Sequence, residues 1–181
     1  AQRFASIVEF ACGGVASTES HRVVMGIDAP FGFPAPFRQL LNGQACQAFS
    51  MGALDTNPYA FRRTDLSISE RFKTPLSAAF DKLGNNASVA MHFLSAWRAN
   101  GLKVLPFDAD DGASPVAIEV YPAVAGPAAG AHPLWLSSVL GRPVGQPADE
   151  HQTDALVCAG LAMAYASPGL SGLPALVPPE E

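Results

Sequence analysis

Four groups of side chains in this 181-residue chain have the types and spacing to do chemistry. Asp28 closes the apolar run of residues 22–28 just ahead of Ala29-Pro30, at the strand end where open α/β sheets take up ligands. Glu119 interrupts Ala117-Ile118-Glu119-Val120-Tyr121-Pro122, and on an alternating strand it points away from the face of Ile118 and Val120. Asp149-Glu150-His151-Gln152-Thr153-Asp154 leads into an apolar helix, where His151 and Asp154 are i,i+3 neighbours and Glu150 and Asp154 are i,i+4 neighbours. Arg62-Arg63, beside Asp65 and followed by Lys73, offer cations whose geometry and charge suit phosphate oxygens.

Each group also has an inert reading. Asp28 could cap its own loop, Glu119 could face solvent, and the arginines could form a surface ion pair with Asp65. Acids at a helix start gain about 0.3 to 1 kcal/mol from the macrodipole, which accounts for Asp149 and Glu150. It accounts less well for Asp154, which lies deeper, against Ala155-Leu156-Val157, and there needs a cation or a donor. Carboxylates from a strand end, a second strand and a helix start can cluster when a divalent ion neutralises them. Hard oxygen ligands with open positions suit Mg²⁺ or Mn²⁺, so metal-assisted phosphoryl chemistry is the indicated reaction class.

The elements that must position these groups follow from the hydrophobic pattern. Residues 22–28 read as a strand buried on both faces. Residues 36–49 read as a helix, and residues 52–76 as a polar loop or partly helical cap. Phe80, Leu83, Ala87, Ala90, Met91, Leu94 and Trp97 keep a period near 3.6 up to Gly101, so residues 77–100 are expected to form the longest helix, with Gly84-Asn85-Asn86 as a place to bend it. Strands are expected over 102–107 and 116–121, a short helix over 133–140, and an Ala- and Gly-rich helix over 154–166 that can pack closely on a sheet. Phe4, Ile7, Val8 and Ala11 have helical spacing, so a helix is under way at residues 1–11 and the native start is expected upstream of Ala1. Strands alternating with helices indicate an α/β class and one domain over residues 1–181.

Composition narrows the field. With 49% hydrophobic and 15% charged residues the chain can bury a substantial core, and no apolar run reaches the roughly 20 residues of a membrane span. No basic leader opens it, so a cytoplasmic location with no membrane partner is expected. A net charge of -5 argues against coating nucleic acid by bulk electrostatics, though not against an enzyme with local cations. Cys12, Cys46 and Cys158 are distant and form no CxxC pair, so ordinary buried thiols are expected rather than disulfides or a zinc cluster.

Ile27-Asp28-Ala29-Pro30-Phe31-Gly32-Phe33-Pro34, Arg63-Thr64-Asp65, Thr74-Pro75-Leu76-Ser77, Ile118-Glu119-Val120-Tyr121-Pro122-Ala123 and Asp154-Ala155-Leu156-Val157-Cys158-Ala159 resemble, in order and spacing, the motifs of an uncharacterised prokaryotic family of predicted RNase H-like nucleases. The resemblance covers nearly the whole chain. It implies a ribonuclease H-like mixed sheet flanked by helices, with acids over its centre holding two metal ions. Carried over, Asp28, Glu119 and Asp154 would be catalytic metal ligands, and His151 to Asp154 resembles the His-x-x-Asp pair of Holliday-junction resolvases of that superfamily. One metal would activate a water and the other would stabilise the leaving oxygen of a phosphodiester. The family normally opens with a Gly-Ile/Val-Asp strand bearing another acid and continues with Glu-Gly-Trp-Ile where this chain ends at Glu180-Glu181, so both ends are expected to be incomplete.

The leading expectation is a Mg²⁺- or Mn²⁺-dependent nuclease or phosphodiesterase. Asp28, Glu119 and Asp154 would hold the metal, His151 would ligate or carry a proton, and Arg62, Arg63 and Lys73 would contact a nucleic acid or nucleotide. Two alternatives stand beside it: a phosphohydrolase acting on a nucleotide or small phosphorylated molecule, and a non-catalytic binding module that keeps the fold. A homodimer is compatible with all three. No Gly-x-Ser-x-Gly elbow and no Gly-x-x-x-x-Gly-Lys loop are present, which disfavours serine hydrolase and phosphate-loop chemistry.

Overall fold

In a computed structural model of the chain, residues 22–44, 57–72, 74–124, 132–167 and Gly169 are described. The expected helix over residues 1–11, the end of that over 36–49, Lys73, Cys12 and Cys46 lie outside them. The described elements are β1 (Val24–Ile27), α1 (Ala35–Leu41), α2 (Arg63–Ser69), α3 (Leu83–Arg98), β2 (Lys103–Val104), β3 (Val116–Glu119), α4 (His132–Leu140) and α5 (Glu150–Ala166). The fold is α/β. Its contacts divide the chain into two units, one of residues 1–28 and 94–181 and the other of residues 29–93.

The first unit is built on a three-stranded sheet in the order β1-β3-β2. Both pairings are parallel, with Val24 opposite Val116, Gly26 opposite Ile118, Ile27 opposite Glu119 and Lys103 opposite Val116. No antiparallel pairing occurs among the described residues. The β-branched run Val116 to Val120 supplies the core: Val116, Ile118 and Val120 pack with Val157, Cys158 and Leu161 of α5. That contact seats α5 on the sheet. β2 is shorter than the expected 102–107 strand, since Pro106 has no N–H with which to extend a ladder.

Gly26 decides how closely strand and helix approach. A Cβ there would lie 2.6 Å from the carbonyl oxygen and 3.2 Å from the carbonyl carbon of Cys158, both backbone atoms of α5. Only glycine leaves room for this contact.

The second unit is held by polar wiring around small buried residues. Asp65 is 2% exposed, and it takes the Arg62 backbone amide at 2.8 Å and the Arg62 guanidinium at 3.0 Å (Nε) and 2.7 Å (Nη2), closing a capping box at the start of α2. Buried Ser77 donates to the Ala60 carbonyl at 2.6 Å and accepts the Ala79 and Phe80 amides at 3.2 and 3.1 Å, while its own amide donates to Asp81 at 2.6 Å. Phe37 sits edge-on to Phe33 and Phe80, each at 5.7 Å between ring centres. This turn around Ser77 delays the long helix: α3 begins at Leu83 rather than at residue 77, and at 16 residues it is shorter than the 17 of α5. No helix among the described residues is long and apolar enough to cross a membrane.

Candidate functional site

The site grows out of the first unit's sheet and α5. Alternation along β1 sends Val24, Gly26 and Asp28 to the side of the sheet where α5 lies, the side on which Gly26 meets Cys158. Asp28 therefore leaves the strand end beside the first turns of α5. Asp149 is the N-cap of that helix: its carboxylate accepts the Gln152 amide at 2.8 Å, and Gln152 in turn accepts the Ala148 amide at 2.9 Å. Capping occupies Asp149 and starts the helix so that His151, Asp154 and Cys158 fall on one stripe.

These side chains line one cavity. Arg22, the β1 residues Val24 to Ile27, Asp28 after them, Trp97, His151, Asp154 and Cys158 border a groove of about 900 Å³. Its acidic end carries Asp28 and Asp154, with exposed His151 beside them; its other end carries Arg22. Asp28 reaches solvent, yet the protein around it raises its pKa by desolvation, reinforced by the charges of Asp154 and then Glu119. Cys158 is buried at the groove wall. Desolvation, followed by the charges of Asp28 and Asp154, pushes its thiol up to about 12, although the Asp28 amide hydrogen-bonds it. The expectation of an inert thiol at this position matches a sulfur held protonated at neutral pH.

Glu119 takes a different position. Opposite Ile27 in the parallel ladder, it alternates with Ile118 and Val120, which are both buried against α5, so its side chain starts from the other face of the sheet. It is within electrostatic reach of Asp28 but does not border the groove. Among the described residues no three His, Cys, Asp or Glu side chains lie close enough together to hold one metal ion. The acids that the structure brings into one cavity are Asp28 and Asp154.

No family model matches the chain, and no curated protein or solved structure matches it.

Of the expected phosphate-binding cations, Arg62 and Arg63 belong to the second unit. Arg62 is turned back on Asp65 in the second unit, where it caps α2, and Arg63 is the exposed first residue of that helix. Within the groove the cation is Arg22, the first residue of the apolar run over 22–28. Arg22 forms an ion pair with Asp110, lies over the Tyr165 ring at 5.7 Å, and shares Asp110 with the Tyr165 hydroxyl, which donates at 2.5 Å. The Tyr165 hydrogen bond first, with the Gly112 amide and Arg22 adding to it, holds the Asp110 carboxyl below its ordinary range. A basic residue at the mouth of an apolar strand is the signal that could have flagged it.

Proposed function

We propose that this protein is a divalent-metal-dependent hydrolase of phosphate esters, with Asp28 and Asp154 as the metal-holding carboxylates. The observation that carries this reading is the shared groove, in which desolvation and then the charge of Asp154 at a helix start raise the proton affinity of Asp28 at a strand end. Two like charges in one cavity need a counter-charge, and a pair of carboxylates with water completing the shell suits Mg²⁺ or Mn²⁺. Such an ion, when bound, would polarise a phosphoryl oxygen and lower the pKa of a water. His151, three residues before Asp154 and exposed at the same end, would accept the proton of an attacking water. Glu119 acts on the site through its charge, from the far face of the sheet. The parallel β1–β3 pair with α5 packed across it is compatible with a ribonuclease H-like architecture, which belongs to this reading.

A phosphodiester or a small phosphate ester would both suit this chemistry. The small substrate is favoured by one observation: the groove's cation, Arg22, already pairs with Asp110, so among the described residues the groove presents no track of cations for a long polyanion. The test is turnover of mononucleotides, single strands, duplexes and hybrids by the 181-residue chain with Mn²⁺ or Mg²⁺. Metal-dependent hydrolysis, abolished by Asp154→Asn, is the expected result. Absence of hydrolysis with either ion on every substrate counts against the reading.

A further inference from the structure

The groove is larger than the chemistry at its acidic end requires. About 900 Å³ is room for a drug-sized molecule, whereas an ion and one phosphoryl group fill only a part of it. All of its lining belongs to the first unit, and the lining changes in character along β1. α5 runs antiparallel to the strand: its start carries Asp154 at the Asp28 end, its middle meets Gly26 at the Cys158 carbonyl, and its last turn carries Tyr165, whose hydroxyl shares Asp110 with Arg22. Arg22 is committed to that ion pair and to the Tyr165 ring, so what the far end offers a ligand is apolar, Val24, Met163 and Ala166.

Trp97 belongs to the same end. It borders the groove half-buried, its carbonyl accepts the Leu102 amide at 3.2 Å, and the residue after Leu102, Lys103, is level with Val116 and through it with Val24. From Val24 to Asp28 the strand rises about 13 Å. A ligand that engages the carboxylates and the indole together therefore needs a spacer between its phosphate and its apolar part, which a short phosphate ester lacks.

We propose that the groove takes a nucleoside monophosphate, its phosphate at Asp28 and Asp154 and its base against the Trp97 indole, so that Trp97 determines which phosphate ester is accepted. The phosphate end of this inference rests on the hydrolase reading; the base end rests on the lining alone. In a nucleotide the sugar is the spacer, and the base is an uncharged flat ring that gains from stacking on an aromatic face whatever its sequence. The α5 residues bordering the groove are mostly small, with Ala159 and Ala166 exposed, while bulky Val157 and Leu161 pack on the sheet core, which leaves room for a ring. A single nucleotide also needs no track of cations. In its hydrolysis the water oxygen bonds to phosphorus and the bond from phosphorus to the sugar oxygen breaks. One water proton stays on the phosphate and the other passes to that sugar oxygen, giving inorganic phosphate and the free nucleoside.

Equilibrium dialysis of adenosine against the 181-residue chain, without metal, tests the base end by itself, because adenosine carries the base and sugar but no phosphate. Wild type should retain adenosine at millimolar concentration and should not retain ribose. Trp97→Ala should bind at least fivefold more weakly, with Trp97→Phe, which keeps an aromatic face, between the two. Ala159→Leu, which fills the groove from an exposed position on α5, should weaken binding as well, and it carries the test if Trp97→Ala fails to fold. No retention of adenosine, equal retention by wild type and both Trp97→Ala and Ala159→Leu, or displacement of adenosine by hexanol as readily as by guanosine overturns the proposal. Titration of Mn²⁺ into the same protein separates this from the hydrolase reading. Mn²⁺ bound without adenosine retention removes only the nucleotide assignment, whereas adenosine retained by a chain that binds no Mn²⁺ upholds the base site and removes the metal-dependent hydrolysis.

Discussion

Gly26→Ala isolates the contact on which the site's geometry depends. The added methyl would sit 2.6 Å from the Cys158 carbonyl oxygen, far inside van der Waals contact, and both of its nearest neighbours are backbone. No side-chain rotation can relieve this, so β1 and α5 must separate. Overpacking of this kind costs about 1–3 kcal/mol, against roughly 0.5–1 kcal/mol gained by replacing glycine within a regular element. For a chain of this size the net loss of up to about 2 kcal/mol lowers the melting temperature by up to about 8 °C. The displacement also moves Asp154 and Cys158 relative to Asp28, so affinity for Mn²⁺ should fall in the same variant. Differential scanning calorimetry gives the first quantity and isothermal titration the second. Gly145→Ala is the control, since a Cβ at Gly145 meets nothing within 4 Å, and it should be neutral. A melting temperature for Gly26→Ala equal to or above wild type would refute the close-approach argument.

Arg62→Ala should act on folding rather than on substrate. It removes the partner of Asp65, which is 2% exposed, and breaks the α2 cap, so urea denaturation should show a loss of about 2–4 kcal/mol while the KM for a phosphate ester stays unchanged. A raised KM with intact stability would return Arg62 to the binding site. For Asp28 the sign of the pH dependence follows from its raised pKa. The folded state binds the proton more tightly than the unfolded one, so this group's contribution is full below the ordinary carboxylate value of 3.8 and is lost as pH rises through the folded value. Asp28→Asn should therefore be more stable than wild type at neutral pH, with the advantage disappearing toward acid. A difference that does not vary with pH in denaturation midpoints would remove the like-charge argument.

Much of the scaffold was legible because it obeys simple periodicities. The apolar run of residues 22–28 reads as a strand from its lack of polar alternation, and Asp149 to Asp154 reads as a helix start from its acids and the apolar stretch that follows; both elements form where the pattern puts them. Alternation likewise anticipated that Glu119 parts from Ile118 and Val120. What alternation alone could not give was the packing partner of each face, and that partner, α5, is what separates Glu119 from the groove that Asp28 and Asp154 share. The Arg62–Asp65 pair was ambiguous for a different reason. Its spacing fits a capping box, but Arg is an unusual capping residue, and the choice between a phosphate clamp and an internal ion pair turns on burial of Asp65, a tertiary property. The short β2 and the late start of α3 were hidden by local chemistry at Pro106 and Ser77 that overrides hydrophobic spacing. Gly26 had a readable signal, a glycine in the middle of a strand, which marks close backbone approach.

Whether Asp28 and Asp154 hold one ion as a pair is read most directly by isothermal titration of Mn²⁺ into wild type, Asp28→Asn and Asp154→Asn. Binding by the wild type should fall at least tenfold in each variant, weaken as pH drops and Asp28 takes up its proton, and be little affected by the same change at Glu119. Equal affinity in wild type and both variants would contradict that pairing.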